Sequence, residues 1–359
     1  MKVLLTGGCG FIGSAVVRHL LRGTPHRIVN VDKMTYAASE EALEEAVRDP
    51  RHVLIRADIT DGPAMREVFA THQPDAVMHL AAESHVDRSI DGPADFMQTN
   101  ILGTFVLLET ARAYWSGLEP ARRAAFRFHH ISTDEVFGAL GPEDPPFTES
   151  TPYDPRSPYS ASKAASDHLV RAWHHTYGLP AFVSNTTNNY GPWQFPEKLI
   201  PLVTINALEG KSLPVYGDGS NQRDWLYVED HAAALVRVTE RAEPGATYAI
   251  GARQPRTNLQ VVKAVCAYLD ARLPDPSGPR ERLIRFVTDR PGHDFRYAID
   301  PSRAESALDW TAPHDFERGL AKTIDWYLSN RAWWERIRGA RYAGQRLGGG
   351  PQMACGKAA

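Results

Sequence analysis

Short apolar runs alternate with amphipathic stretches through the first half of the chain. Lys2 to Thr6 is apolar and breaks into glycines, after which Ser14 to Leu21 repeats apolar residues at helical spacing. Arg27 to Val31, Val53 to Ile55, Ala76 to Leu80 and Phe126 to Ile131 are further apolar runs, too short for helices, and read as strands buried on both faces. Phe96 to Tyr114 and Pro158 to Tyr177 read as helices, the second opened by Ser157 as N-cap with Pro158 in its first position and closed by Gly178-Leu179-Pro180. Strand and helix in alternation predict an α/β protein, a Rossmann-like doubly wound parallel sheet with helices on both faces.

Beyond about residue 185 the texture changes. Asn188-Asn189-Tyr190-Gly191-Pro192 reads as turn, a helix ends at Gly210, and Pro214 to Tyr216, Arg223 to Val228 and Tyr248 to Ile250 read as strands. Leu259 to Leu269 reads as helix and Arg290 to Asp294 as a polar loop. No linker, repeat or low-complexity segment intervenes, so the expectation is a smaller, mixed α/β substrate-binding lobe closing over the sheet. The division expected is 1–186 with 228–251 for the dinucleotide domain, 187–227 with 252–330 for the lobe, and a disordered tail at 348–359.

Composition narrows the function classes. A chain of 359 residues that is 43% hydrophobic can bury a large core, and a net charge of −3 offers no footprint for nucleic acid or for a membrane surface. No apolar run reaches the length of a bilayer span, and the first one ends at Thr6, too soon for a signal peptide, so a cytoplasmic location is expected. Cys9, Cys266 and Cys355 are far apart, and the histidines form no ligand-spaced set, so neither disulfides nor a metal is expected.

The chemistry-bearing residues fall at the ends of the predicted strands. The glycines fit both Gly-x-Gly-x-x-Gly (Gly8, Gly10, Gly13) and Gly-x-x-Gly-x-x-Gly (Gly7, Gly10, Gly13), between a strand and a helix, where only glycine lets the backbone approach a pyrophosphate. The second strand ends at Asp32, placed to accept hydrogen bonds from a ribose and to repel a 2′-phosphate, which favours NAD over NADP. Asp58-Ile59 would flank the adenine, and Ala81 and Ala82 are small enough to lie against the cofactor. Tyr159 and Lys163 share a helix face one turn apart, and an ammonium near a phenol favours the phenolate, a base for alcohol oxidation. Thr133, Asp134 and Glu135 would present a hydroxyl, an acid and a base at the end of the fifth strand. Tyr-x-x-x-Lys occurs by chance in many helices, and adjacent acids are usually a solvated turn. The dinucleotide fingerprint shifts that balance.

Taken together, the motifs resemble those of the extended short-chain dehydrogenase/reductases and, within their nucleotide-sugar branch, the dTDP-glucose 4,6-dehydratases. The resemblance runs from Met1 to about Leu347 through Thr-Gly-Gly-x-Gly-Phe-Ile-Gly-Ser (6–14), Leu-Ala-Ala-Glu-Ser-His-Val-Asp-Arg-Ser-Ile (80–90), Ser-Thr-Asp-Glu-Val (132–136), Ser-Pro-Tyr-Ser-Ala-Ser-Lys (157–163), Arg-Asp-Trp-Leu-Tyr-Val-Glu-Asp-His (223–231) and Asp-Arg-Pro-Gly-His-Asp (289–294). The Thr-Asp-Glu triplet separates such dehydratases from sugar epimerases. Phe137 stands where the family has Tyr, and the loop at 139–147, which borders the active site, is short.

The resemblance implies a homodimer acting on dTDP-glucose with bound NAD. It extends the cofactor set to Phe11, Ile12, Lys33, Met34, Thr35, Leu80, Ser84, Thr99 and Asn188, and places Ser84, Thr133, Asn189, Lys198, Leu199, Pro214, Tyr216, Arg223, Asn258, Arg290 and His293 around the substrate. It makes Tyr159, with Lys163 and Thr133, the group that oxidises C4, Glu135 the base at C5 and Asp134 the acid for the 6-hydroxyl. Arg223 is the physical favourite for the diphosphate, its fork matching phosphate oxygens, against an ordinary salt bridge to Asp224 or Glu229. A 4-epimerase would keep Tyr159 and Lys163 and leave Asp134 and Glu135 idle. A non-catalytic dinucleotide sensor would need none of the five.

Overall fold

The computed structural model describes residues 1–289, 292–340 and 342, so Arg290 and the tail at 348–359 lie outside the described residues. Twelve strands are described: β1 (Lys2–Thr6), β2 (Arg27–Asp32), β3 (His52–Arg56), β4 (Ala76–His79), β5 (Arg127–Thr133), β6 (Ala181–Thr186), β7 (Asn188–Tyr190), β8 (Leu213–Tyr216), β9 (Gln222–Tyr227), β10 (Thr247–Ile250), β11 (Pro255–Thr257) and β12 (Ile284–Val287). Seven of them form one sheet in the order β10-β6-β5-β4-β1-β2-β3, every neighbouring pair parallel. Because β1 and β4 are neighbours while the chain runs outward from β1 through β2 to β3, the connections diverge between β1 and β4. That is where an open α/β sheet leaves a crevice at its carboxyl edge.

The continuous apolar runs arise because both faces are covered. On one face the helices Phe11–Gly23 and Val228–Arg241 bury Val16, Val17, Leu20, Ala232 and Leu235 against Val3, Leu5 and Ile28. On the other, the helices Gly62–His72, Thr104–Ser116 and Pro158–Tyr177 bury Phe69, Leu107, Leu108 and Val170 against Leu4, Val29, Val77 and Phe128. The second lobe has its own core of Ile200, Val203, Leu213, Val261, Val265 and Phe316, with β7 and β11 flanking β9 and β12 pairing with β8.

Two expectations need correction. The stretch expected as one helix from Phe96 to Tyr114 is a short helix, Pro93–Phe96, then a π-helical segment, Met97–Gly103, then the α-helix Thr104–Ser116. Its cause is the Asn100 carbonyl, which accepts from Thr104 Oγ1 and Ser166 Oγ at 2.6 Å each, while the Asn100 side chain bonds the Glu83 backbone and Ser162. Asn188-Asn189-Tyr190, expected as turn, pairs in parallel with Trp225–Tyr227. The caps of Pro158–Tyr177 stand as expected: Ser157 and Ser160 form a reciprocal capping box, and Gly178 closes the helix at φ +73°.

Candidate active site

At the end of β1 the chain turns at Gly7 with φ +76°, and a Cβ there would stand 2.8 Å from the Ala81 backbone. Gly13 packs so tightly that a Cβ would run into the Gly7 carbonyl, whereas the atoms nearest to one on Gly8 belong to the Asn30 side chain. Of the two glycine patterns, Gly7, Gly10 and Gly13 therefore form the wall of the crevice. Gly10 caps the helix Phe11–Gly23 without a side-chain bond, which leaves the positive helix end for an anion.

Asp32 is fixed at the end of β2. Its Oδ2 accepts from the Cys9 N–H at 2.9 Å and its Oδ1 from the Met34 N–H at 2.8 Å. Burial raises its pKa, and these two N–H groups counter that. Lys33 Nζ donates to Thr99 Oγ1 at 3.1 Å and stands 3.7 Å from Asp58.

A cleft of about 300 Å³ follows the carboxyl edge of the sheet. Of the cofactor residues expected from sequence, Gly7, Gly10, Phe11, Ile12, Gly13, Asp32, Lys33, Thr35, Ile59, Leu80, Ala81, Ala82, Ser84, Thr99, Tyr159, Lys163 and Asn188 line it, and Met34 and Asp58 do not. Thr133, Asp134, Glu135, Asn189 and Lys198 line the same cleft. The side-chain oxygens of Asn188, Asn189 and Gln194 are buried in its wall with no hydrogen-bond partner among the described residues. A buried polar atom left so is a place for a ligand group.

The triplet closes the cleft under Tyr159. Thr133 Oγ1 donates to Asp134 Oδ1 at 3.4 Å and accepts from the Glu135 N–H at 3.3 Å. Asp134 is buried, and burial first, then the charge of Glu135, raise its pKa to about 8, so that it holds its proton at neutral pH. Lys163 Nζ donates to the Ile131 carbonyl at 2.8 Å, and burial lowers its pKa to about 8. The phenol of Tyr159 departs from the expectation of a ready phenolate. Burial and then Glu135 hold its pKa well above the usual range, a hydrogen bond from Thr133 acting the other way. In the protein alone, removing the phenol from water outweighs the ammonium one turn away.

The other expected substrate residues that the structure describes do not line this cleft. Tyr216, on β8, reaches Asp87 Oδ2 at 3.3 Å and packs its ring edge-on to His293, whose Nδ1 stands 2.6 Å from Asp289. Pro214 is on β8, Leu199 opens the helix Leu199–Leu208, and Asn258 opens Asn258–Arg272. Arg223 is buried, donating to the carbonyls of Gln222, Asp294 and Phe295 and lying 4.2 Å over the Tyr297 ring. Asp224 is occupied by the N–H groups of Ala252, Arg253 and Gln254, and Glu229 by Arg18.

Sequence reasoning missed Tyr36 and Glu197. Both line the cleft, Tyr36 donating to Glu197 Oε1 at 3.0 Å while Arg88 Nε donates to Glu197 Oε2 at 2.8 Å and its guanidinium covers the Tyr36 ring at 4.0 Å. Only the fold joins residues so distant in the chain.

Comparison with known proteins gives consistent relatives. The profile of the GDP-mannose 4,6 dehydratase family matches residues 4–323. A dTDP-glucose 4,6-dehydratase of Escherichia coli is 58% identical, with 97% of this chain and 99% of that protein covered, and one of Neisseria meningitidis is 57% identical with the same coverage. Among solved structures, the dTDP-glucose 4,6-dehydratase DesIV of Streptomyces venezuelae, with NAD and a second ligand bound, is similar at a TM-score of 0.86 and 40% identity, covering 94% of this chain and all of that one. The UDP-glucose 4-epimerase of Thermotoga maritima is similar at a TM-score of 0.80 and 27% identity, covering 92% and 100%.

Proposed function

The chain belongs to the GDP-mannose 4,6 dehydratase family, and from that premise we propose that it converts dTDP-glucose to dTDP-4-keto-6-deoxyglucose with a resident NAD. The observation that carries the reading is Asp134: a buried carboxylic acid, kept protonated, beside a carboxylate and a tyrosine in one cleft. An epimerase has no use for that pair. The residues present fit the cofactor, since Gly7, Gly10 and Gly13 leave room for a pyrophosphate, Asp32 is fixed for a ribose, and Asn188 offers an unpartnered oxygen.

NAD, when bound, would supply the hydride acceptor for C4 and the hydride donor for C6. Tyr159, once it has lost its phenolic proton, accepts the 4-hydroxyl proton, with Thr133 bonding the same oxygen and Lys163 supplying the positive charge that favours the phenolate. Ketone formation acidifies the C5 hydrogen, which Glu135 removes while Asp134 gives its proton to the departing 6-hydroxyl, and Glu135 then returns a proton to C5 to complete the product. Each turnover leaves Tyr159 with one proton gained and Asp134 with one lost. We assign the nucleotide to Asn189, Lys198, Leu199, Pro214, Tyr216, Arg223, Asn258, Arg290 and His293, and the two domains to the residue ranges given from sequence.

We also propose a homodimer in the cytoplasm. Among the described residues no helix is long and apolar enough to cross a membrane. Met97, Leu102, Phe105 and Tyr177 are exposed apolar residues on neighbouring helices, a patch suited to a second copy. Val170, on the helix Pro158–Tyr177, is buried in the core and takes no part in that patch.

Incubating the purified protein with dTDP-glucose tests the activity. A keto product lighter by one water is the expected outcome. Recovery of unchanged substrate, or of its 4-epimer, would overturn the assignment.

A further inference from the structure

The catalytic reading leaves unexplained a chain of polar side chains buried behind Lys163, on the side away from the cleft. His130 and Asp167 are 1% and 0% exposed. His130 Nε2 stands 3.5 Å from Lys163 Nζ and 3.2 Å from Asp167 Oδ1. Asp167 lies one helical turn beyond Lys163, and its Oδ2 accepts from Tyr153 OH at 2.8 Å and from Asn185 Nδ2 at 3.0 Å. Asn185 Nδ2 also reaches the Thr133 carbonyl at 3.1 Å, and Arg171 donates to Tyr153 OH at 2.8 Å. A fully buried carboxylate is costly unless it is paired, so two donors and a histidine converging on this position call for a role.

We propose that Asp167, acting across His130, is a positioning residue for the dehydratase reaction: it keeps the Lys163 ammonium charged and aimed at the cleft. This rests on the catalytic reading above. The geometry supports it from each side. The ionisable groups facing Lys163 are His130 on β5, His79 on β4 behind it, and Tyr159 and Asp167 on its own helix, with Asp134 and Glu135 beyond Tyr159. His79 and His130 are held neutral by burial. Asp167 is thus the charge that opposes desolvation of the ammonium, and its own pKa is lowered, with His130 and Lys163 among the causes. Tyr153, which lies beyond the 139–147 loop, steadies Asp167 and so ties that stretch of chain to the catalytic helix.

The oxidation step must be isolated, because loss of the Asp134 proton would also impair dehydration in alkali. In a Glu135→Gln background, bound NADH formed from dTDP-glucose is followed by stopped-flow absorbance between pH 6 and 10. Adding Asp167→Asn should move the alkaline half-point of that rate down by at least one pH unit, Asp167→Glu should bring it most of the way back, and His130→Ala, which admits screening water, should move it down by less. In a Lys163→Met background Asp167→Asn should add no further loss of rate. A merely structural role would lower the folded fraction by circular dichroism and leave the half-point in place. If folded Asp167→Asn, or His130→Ala should Asp167→Asn not fold, has the parent half-point, the proposal is overturned. If Glu135→Gln alone forms no NADH, the catalytic reading fails instead.

Discussion

The N–H of Cys9, inside the glycine turn, donates to the Asp32 carboxylate at the end of β2 at 2.9 Å. One bond thus sets the pyrophosphate turn and the ribose acceptor relative to each other. With its other oxygen held by the Met34 N–H, the carboxyl group keeps one orientation, facing where a 2′-phosphate would lie, which disfavours that phosphate. NAD should bind in preference to NADP, and Asp32→Ala should weaken NAD by roughly 10- to 100-fold, the range of a lost charged hydrogen bond. Fluorescence titration with NADH and NADPH decides it; equal affinities in the parent protein would contradict the assignment.

The glycine turn, Asp32 and the triplet were legible because each stands at the end of an apolar run, where period and punctuation are strongest. The short strand β6 was not, since Ser184 and Asn185 give it a polar look in sequence that buried partners compensate in the fold. The π-helical turn at Asn100 was hidden for the same reason: its cause lies in Ser166, a residue of another helix. Arg223 shows a different limit. Sequence motif marks it as special, but only the structure gives its guanidinium to the carbonyls of the loop after Asp289.

Stability should fall steeply in mild acid. His79, His129, His130 and His231 are buried, and burial pushes their pKa down, to about 4 for His130 and about 3 for His231. Above pH 6.5 these rings are neutral folded and unfolded alike. As pH falls below 6.5 the unfolded chain binds protons that the folded one refuses, so stability is lost by up to about 1.4 kcal/mol per pH unit per ring. Asp134 acts oppositely, its stabilising protonation being lost as pH rises toward 8. Neither His231 ring nitrogen has a partner among the described residues, so His231→Leu should flatten the fall of the denaturant midpoint between pH 6.5 and 5. An identical slope in the variant would show that His231 does not contribute.

The assembly prediction concerns the exposed face of Met97, Leu102 and Phe105. Placing a charge there by Leu102→Glu with Phe105→Glu should convert a dimer to a monomer at micromolar concentration, because an interface core tolerates no unpaired carboxylates. Light scattering reads the mass directly. A monomeric parent protein would overturn the dimer, and a variant that stays dimeric would place the contact elsewhere.

The central claim is that Asp134 and Glu135 are the machinery of water loss, whereas Tyr159, Lys163 and Thr133 serve the earlier oxidation. Positioned acid and base groups each contribute about 10² to 10⁴-fold, so Glu135→Gln and Asp134→Asn should slow keto product formation by that order while leaving hydride transfer in place. Absorbance at the reduced nicotinamide band, followed after mixing with dTDP-glucose, separates the two stages. The account predicts that bound NADH accumulates in Glu135→Gln and Asp134→Asn and does not form in Tyr159→Phe. Dehydration at the parent rate in both carboxylate variants would contradict it.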